Sequence, residues 1–133
     1  MGIGRTTTTT WYWATTTFLV LELAIGGAMD LVRGREVVLI GAPVDEVVQG
    51  LGYPVYILLF LGVWKVFGAA ALAAPGFPRL KEWAYAGVVF EMTAAAASHA
   101  IVGDALFTLV YPLFVVVLAL VSWALRPEDR LLR

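Results

Sequence analysis

Four long apolar stretches constrain this sequence more than any other feature. They run over residues 11–32, 53–74, 82–102 and 105–125 of a chain of 133 residues. Each is close to the roughly 20 residues that an α-helix needs to cross a hydrocarbon core about 30 Å thick. Because backbone polar groups within lipid must satisfy one another, each stretch is predicted to be a helix. The sequence therefore predicts an all-α fold, a four-transmembrane-helix bundle that forms a single membrane domain over residues 1–133.

The composition places most of the protein surface in lipid. Hydrophobic residues make up 61% of the chain and charged residues 14%, whereas roughly a quarter of an ordinary soluble domain is charged. This number of charged residues is too small to cover the surface of a soluble domain. We therefore expect a multi-pass protein of the cell membrane with the lipid bilayer as its partner. The net charge of −1 gives no basis for binding nucleic acid. The absence of cysteine excludes thiol catalysis and thiolate metal sites, and no metal site is predicted.

The lysines and arginines are distributed unequally between the two ends of the predicted bundle. With four helices, the N-terminus, the 75–81 turn and the C-terminus lie on one side, and the 33–52 loop lies on the other. The first side carries six basic residues and the second carries two, Arg33 and Arg35. Because cytoplasmic segments carry the excess of Lys and Arg, both termini are predicted to be cytoplasmic.

Three ionisable residues, Glu22, Lys65 and Glu91, lie near the middle of the first three stretches. At 1.5 Å per residue their Cα atoms fall at about the same depth. A charge at the bilayer centre costs at least about 2.5–3.5 kcal/mol, so the two acids and the base are predicted to pair. The triad could fix the register of the helices as a purely structural contact. Alternatively it is functional, as ionisable residues within a membrane usually are.

A second polar group is predicted near the outer face. Ser98 and His99 lie near the end of the third stretch, Asp104 follows, and Asp30 and Tyr53 lie at the outer ends of the first two stretches. Adjacent residues on a helix point about 100° apart, which disfavours a Ser/His/Asp catalytic triad. A proton-exchanging pair of His99 and Asp104 at the mouth of a cavity fits the spacing better.

These two groups supply the candidate site residues. The catalytic candidates are Glu91, Lys65, His99 and Asp104, and the ligand-binding candidates are Glu22, Lys65, Glu91, Ser98, His99, Asp104 and Tyr53.

Longer runs of sequence resemble one known family. They are Glu22 with Gly26-Gly27 in the first stretch, LGYPVY (51–56) and LGVWK (61–65) in the second, and RLKEWAYAG (79–87), ASH (97–99) and GD (103–104) in and after the third. Together they resemble the DoxX-like family of small integral membrane proteins over residues 11–125. The resemblance implies a bundle of four membrane helices. It also marks Glu22, Lys65, Glu91, Ser98, His99 and Asp104 as polar positions of the family without giving them roles.

The resemblance implies one function, and the residues leave two others open. The family is named for a membrane subunit of a thiosulfate:quinone oxidoreductase, so we expect a membrane subunit or partner of a redox or biosynthetic complex, with a membrane or redox protein as its partner. A second hypothesis is a binding or enzymatic pocket for a small lipophilic ligand, with a quinone as the candidate cofactor, built on Glu22, Lys65 and Glu91. The third is proton translocation along Glu91, His99 and Asp104, which would need a homo-oligomer or a narrow cavity.

Overall fold

The structure, a computed structural model, describes residues 2–32 and 43–132. These residues form five α-helices and a short 3₁₀ helix: α1 (Gly2–Leu31), α2 (Val44–Gly50), α3 (Ile57–Ala73), α4 (Pro78–Val102), α5 (Leu106–Ala124) and the 3₁₀ helix Glu128–Arg130. No β-strand occurs in the described ranges. The prediction of an all-α fold is therefore confirmed for this part of the chain.

The first helix begins well before residue 11, where the apolar stretch starts. Hydroxyl groups of the threonine run donate to carbonyl oxygens four residues earlier, from Thr8 to Gly4 and from Thr9 to Arg5, each at 2.9 Å. These bonds stay within the helix, and α1 runs through the polar threonines as far as Gly2. The helix α2 lies within the predicted 33–52 loop, whose residues 33–42, with Arg33 and Arg35, lie outside the described residues.

The turn between α3 and α4 explains one further difference from the predicted boundaries. Gly76 and Phe77 have positive φ angles of 73° and 52°, which reverse the chain at once after α3. Pro78 then occupies the first turn of α4, where its fixed φ suits the helix and its missing N–H costs no hydrogen bond. α4, which corresponds to the third apolar stretch, therefore begins at Pro78, ahead of the predicted residue 82. It runs antiparallel beside α3.

The four long helices pack in a ring. α1 contacts α3 and α5, and α4 contacts the same two helices. Apolar side chains from all four form the core: Leu19, Leu23, Ala69, Leu72, Tyr85, Val88, Met92, Val115 and Ala119. Large apolar side chains such as Phe90, Ile101 and Leu106 remain exposed on the outer faces, as expected for a protein surrounded by lipid.

Three helices are long and apolar enough to cross a membrane: Gly4–Leu31, Pro78–Val102 and Leu106–Ala124. α3 is also apolar but has 17 residues, about 25 Å of helix. It starts at Ile57, later than the predicted residue 53, because a turn precedes it in which the Ile57 amide donates to the Pro54 carbonyl at 3.0 Å.

Candidate functional site

α1 and α3 cross in close contact at two glycines. A Cβ atom on Gly27 would lie 3.0 Å from the carbonyl oxygen of Gly62, and a Cβ atom on Gly62 would lie 2.8 Å from that of Gly27. Neither position has room for a side chain, so the backbones approach as closely as small residues allow. The same crossing brings Lys65 against α1, since a Cβ atom on Gly27 would lie 2.9 Å from the Lys65 Cβ.

Lys65 joins two carboxylates from the neighbouring helices. Its Nζ donates to Oδ2 of Asp30 on α1 at 2.7 Å and lies 3.1 Å from Oε1 of Glu91 on α4. The side chains of Lys65 and Asp30 are 13% and 5% exposed, and that of Glu91 is 21% exposed. Charges so far from water need partners of opposite sign. Asp30, Lys65 and Glu91, here called the Lys65 cluster, therefore tie three helices together.

Asp30 takes the place that the sequence predicted for Glu22. The predicted pair of Lys65 and Glu91 is present, but Glu22 accepts a hydrogen bond from the Tyr111 hydroxyl of α5 at 2.6 Å. Gly27 lies opposite Lys65 at the crossing, and the long lysine side chain extends from there to Asp30. Glu22 stays close all the same: a Cβ atom on Gly26 would lie 3.8 Å from its Oε1 and 3.9 Å from the Lys65 Nζ.

The outer polar residues form two separate pairs. The hydroxyl groups of Tyr53 and Ser98 are 2.9 Å apart, and the Ser98 hydroxyl also donates to the Ala94 carbonyl at 2.8 Å. Nδ1 of His99 lies 2.6 Å from Oδ2 of Asp104. The predicted contact between His99 and Asp104 is therefore present. The Ser98 hydroxyl is directed to Tyr53 and to its own helix, so no Ser/His/Asp relay forms among the described residues.

A cavity of about 810 Å³ lies between α3 and α4 and ends at the Lys65 cluster. We call it the α3–α4 groove; its lining includes Leu61, Trp64, Lys65, Phe67, Ala70, Ala71 and Ala74 from the α3 side and Phe77, Leu80, Trp83, Ala84, Gly87, Val88 and Glu91 from the α4 side. From Leu80 to Glu91 it follows about 16 Å of helix. Lys65 and Glu91 are the ionisable residues of this lining, so the groove is apolar with one charged end.

The groove opens towards the side of the bundle. Trp64 and Trp83, on opposite walls, are 69% and 75% exposed, so the gap between them faces the surroundings of the protein. Small side chains at Ala70, Ala71 and Gly87 leave the space empty. In a bilayer such a gap admits molecules that are already dissolved in the lipid.

Buried basic residues close the end of the bundle where both termini meet. The ammonium group of Lys81, which is 0% exposed, donates to the carbonyl oxygens of Ala71 at 2.6 Å and of Ala74. Arg130 donates to the Leu72 carbonyl at 3.0 Å and to the Tyr12 hydroxyl at 3.3 Å. These bonds satisfy the carbonyl groups of Ala71 and Leu72 in the last turn of α3, which have no partner within the helix. The basic residues at this end are therefore structural.

Sequence reasoning missed Asp30 as a partner of Lys65 and missed Tyr111, and its hypothesis of a pocket at Lys65 and Glu91 did not place that pocket between α3 and α4. Asp30 is itself a carboxylate inside the apolar 11–32 stretch, and that position was one available signal that it needs a basic partner. The small residues Gly68, Ala70 and Ala71 were a signal for the groove, because small residues opposite Gly87 leave space between two helices. Tyr111 gave no separate signal, since a tyrosine is common near the end of an apolar helix.

Comparison with known proteins identifies one family. The sequence model described as the DoxX-like family matches residues 14–122, most of the chain. No curated protein matches the chain, and no solved structure does. Among the described residues, no group of three or more His, Asp or Glu side chains is arranged to hold a metal ion.

Proposed function

The chain belongs to the DoxX-like family. We propose that this membrane protein binds a small lipophilic ligand in the α3–α4 groove. The observation that carries the proposal is an apolar cavity that ends at a buried ion cluster. The apolar part of the ligand would lie between Trp64 and Trp83, and its polar group would meet Lys65 and Glu91.

The size and chemistry of the groove support this role. Its volume of about 810 Å³ lies within the range of about 300–1,000 Å³ that is typical of small-molecule sites. Such sites are mainly apolar and carry a few polar groups that orient the ligand. The family's association with quinone chemistry makes a quinone one candidate. Glu22 lies beside the cluster but is absent from the groove lining, so it would act on the ligand only through its neighbours.

Filling the groove should weaken binding. Gly87 lines the groove, and a Cβ atom there would have no heavy atom within 4 Å, so Gly87→Leu adds a side chain to empty space. We expect the affinity to fall at least about tenfold, the equivalent of about 1.4 kcal/mol. Binding would be measured in nanodiscs by tryptophan quenching, with an alkyl quinone and with an alcohol and an amine that carry brominated alkyl chains.

The matched control is Gly4→Leu. Gly4 also has no neighbour within 4 Å of its Cβ position, and it lies near the start of α1. This variant should bind every probe as the unmodified protein does. The groove is not a binding site if no probe quenches the tryptophan fluorescence in a saturable way. The same conclusion follows if Gly87→Leu binds the probes as tightly as Gly4→Leu.

We also propose that α3 is the fourth membrane span, so that both termini lie in the cytoplasm. Its 17 residues are at the short end of the range for a span, and it packs between two helices that are long enough to cross. Tyr12, Lys81 and Arg130 meet at one end of the bundle, which agrees with an even number of spans. The excess of Lys and Arg at that end supports a cytoplasmic location at the cell membrane.

The cysteine-free sequence makes this topology directly testable. Gly4→Cys and Glu46→Cys place single thiols at exposed positions at opposite ends of the bundle. In intact cells, a membrane-impermeant maleimide should label Glu46→Cys and spare Gly4→Cys until the cells are opened. Labelling of both thiols from outside, or of Gly4→Cys alone, would contradict the proposed topology.

The role of a membrane subunit of a redox or biosynthetic complex stays a prediction from the family resemblance. The geometry of the described residues gives it no separate support.

A further inference from the structure

We infer that the α3–α4 groove selects lipophilic amines in their protonated form, with the cationic head at Glu91 and the alkyl or aryl body along the groove. This inference rests on the proposed function, because it names the ligand class of the same site.

Carboxyl groups outnumber ammonium groups at the end of the groove formed by the Lys65 cluster. Asp30 and Glu91 flank Lys65, and Glu22 lies beside them. Three carboxyl groups thus surround one ammonium group. In a medium of low dielectric constant, an excess of carboxylates attracts a cation and repels an anion far more strongly than in water. A ligand with a carboxylate or phosphate head is therefore disfavoured at this end.

Glu91 offers the acceptor atom for such a head. Its Oε1 forms the ion pair with Lys65, while Lys65 also donates to Asp30. Within the described residues, Oε2 of Glu91 makes no hydrogen bond, and Glu91 lines the groove. An ammonium group placed there would donate to Oε2 and share the carboxylate with Lys65. Hydrogen bonds between two charged groups are about twice as strong as those between neutral groups.

The walls of the groove add a second feature that favours cations. The rings of Trp64, Phe67 and Trp83 all line it. Aromatic faces attract ammonium groups, tryptophan most strongly, and the attraction grows when the cation is removed from water. An amine that enters from the lipid would therefore meet aromatic faces before it reaches Glu91.

The test compares head groups on one alkyl chain. Unmodified protein in nanodiscs of uncharged lipid would be titrated with an amine, an alcohol and a carboxylic acid that share the same brominated chain, with tryptophan quenching as the readout. We expect the amine to bind at least about tenfold more tightly than the alcohol, and the acid to bind most weakly.

The variant Glu91→Gln should lower the ratio of amine affinity to alcohol affinity about tenfold, which removes the preference for the amine. The matched control, Glu46→Gln, changes an exposed acid on α2 and should keep the full preference. The order of the three probe affinities on the unmodified protein decides whether the groove prefers amines, even if Glu91→Gln does not fold.

The outcomes separate this inference from the proposed function. If the alcohol or the acid binds as tightly as the amine and Gly87→Leu weakens that binding, the groove is a ligand site but the choice of amines is wrong. If Glu91→Gln keeps the preference for the amine, Glu91 is not the acceptor and the inference is also wrong. If Gly87→Leu has no effect on any probe, both proposals fail.

Discussion

Replacing Gly62 by valine is expected to lower the free energy of unfolding by about 3 kcal/mol, because the substitution pushes two backbones apart. A Cβ atom on Gly62 would lie 2.8 Å from the Gly27 carbonyl oxygen and 3.0 Å from the Leu31 amide nitrogen. Backbone atoms cannot turn aside as the end of a flexible side chain can. α1 must therefore move away from α3, which also carries Asp30 away from Lys65. Unfolding in mixed micelles, followed by circular dichroism, would measure the loss.

The matched control for this prediction is Gly87→Val. Gly87 also lies inside a helix, but a Cβ atom there would have no heavy atom within 4 Å. Since valine is no worse a helix former than glycine, this variant should unfold within about 0.5 kcal/mol of the unmodified protein. Equal losses for the two variants would show that valine destabilises either helix by itself and that the α1–α3 contact is not tight.

The helical content was predictable because the apolar stretches report it directly, whereas the ends of the helices depend on local bonds that hydropathy does not describe. α5, at Leu106–Ala124, lies within a residue of the predicted 105–125. α1 extends to Gly2 through the polar threonine run, whose hydroxyl groups bond back to the helix, and α4 begins at Pro78 after two residues with positive φ. Both extensions are polar or irregular in sequence, so a search for apolar stretches passes over them.

The candidate site was predictable only in part, because counting residues along a helix gives the depth of a Cα atom and not the reach of its side chain. Lys65 and Glu91 pair as predicted, since each lies midway along its stretch. The choice of Asp30 over Glu22 depends on where α1 and α3 cross, and that is set by contact at Gly27 and Gly62. The groove depends on how far α3 and α4 stand apart, which no single stretch of sequence records.

The Lys65 cluster links the structural core to the proposed site. Asp30 holds Lys65 on the α1 side through a bond of 2.7 Å, while Glu91 meets Lys65 and also lines the groove. A ligand group that interacts with Glu91 would therefore change the same ion pair that joins α3 to α4. Binding in the groove and the stability of the bundle should be coupled, since a ligand that binds only the folded protein stabilises it.

Replacing Lys65 by methionine should cost about 3–5 kcal/mol of unfolding free energy, because it leaves two buried carboxylates without a cation. Methionine keeps the length of the side chain and its packing against Gly27, so the change isolates the charge. The same unfolding assay in mixed micelles would measure it. The decisive companion is a variant that combines Lys65→Met with Asp30→Asn and Glu91→Gln, which removes all three charges and should recover most of the loss.

A recovery of that kind would assign the cost to unpaired charge, whereas a combined variant as unstable as Lys65→Met would assign it to packing.

Single changes then identify the acid that Lys65 depends on. Asp30 is 5% exposed and bonded to Lys65, while Glu22 is bonded to the neutral Tyr111 hydroxyl. Asp30→Asn should therefore cost more than Glu22→Gln, because it weakens an ion pair and not only one hydrogen bond. The reverse order would favour Glu22 as the partner, with Asp30 in a secondary role.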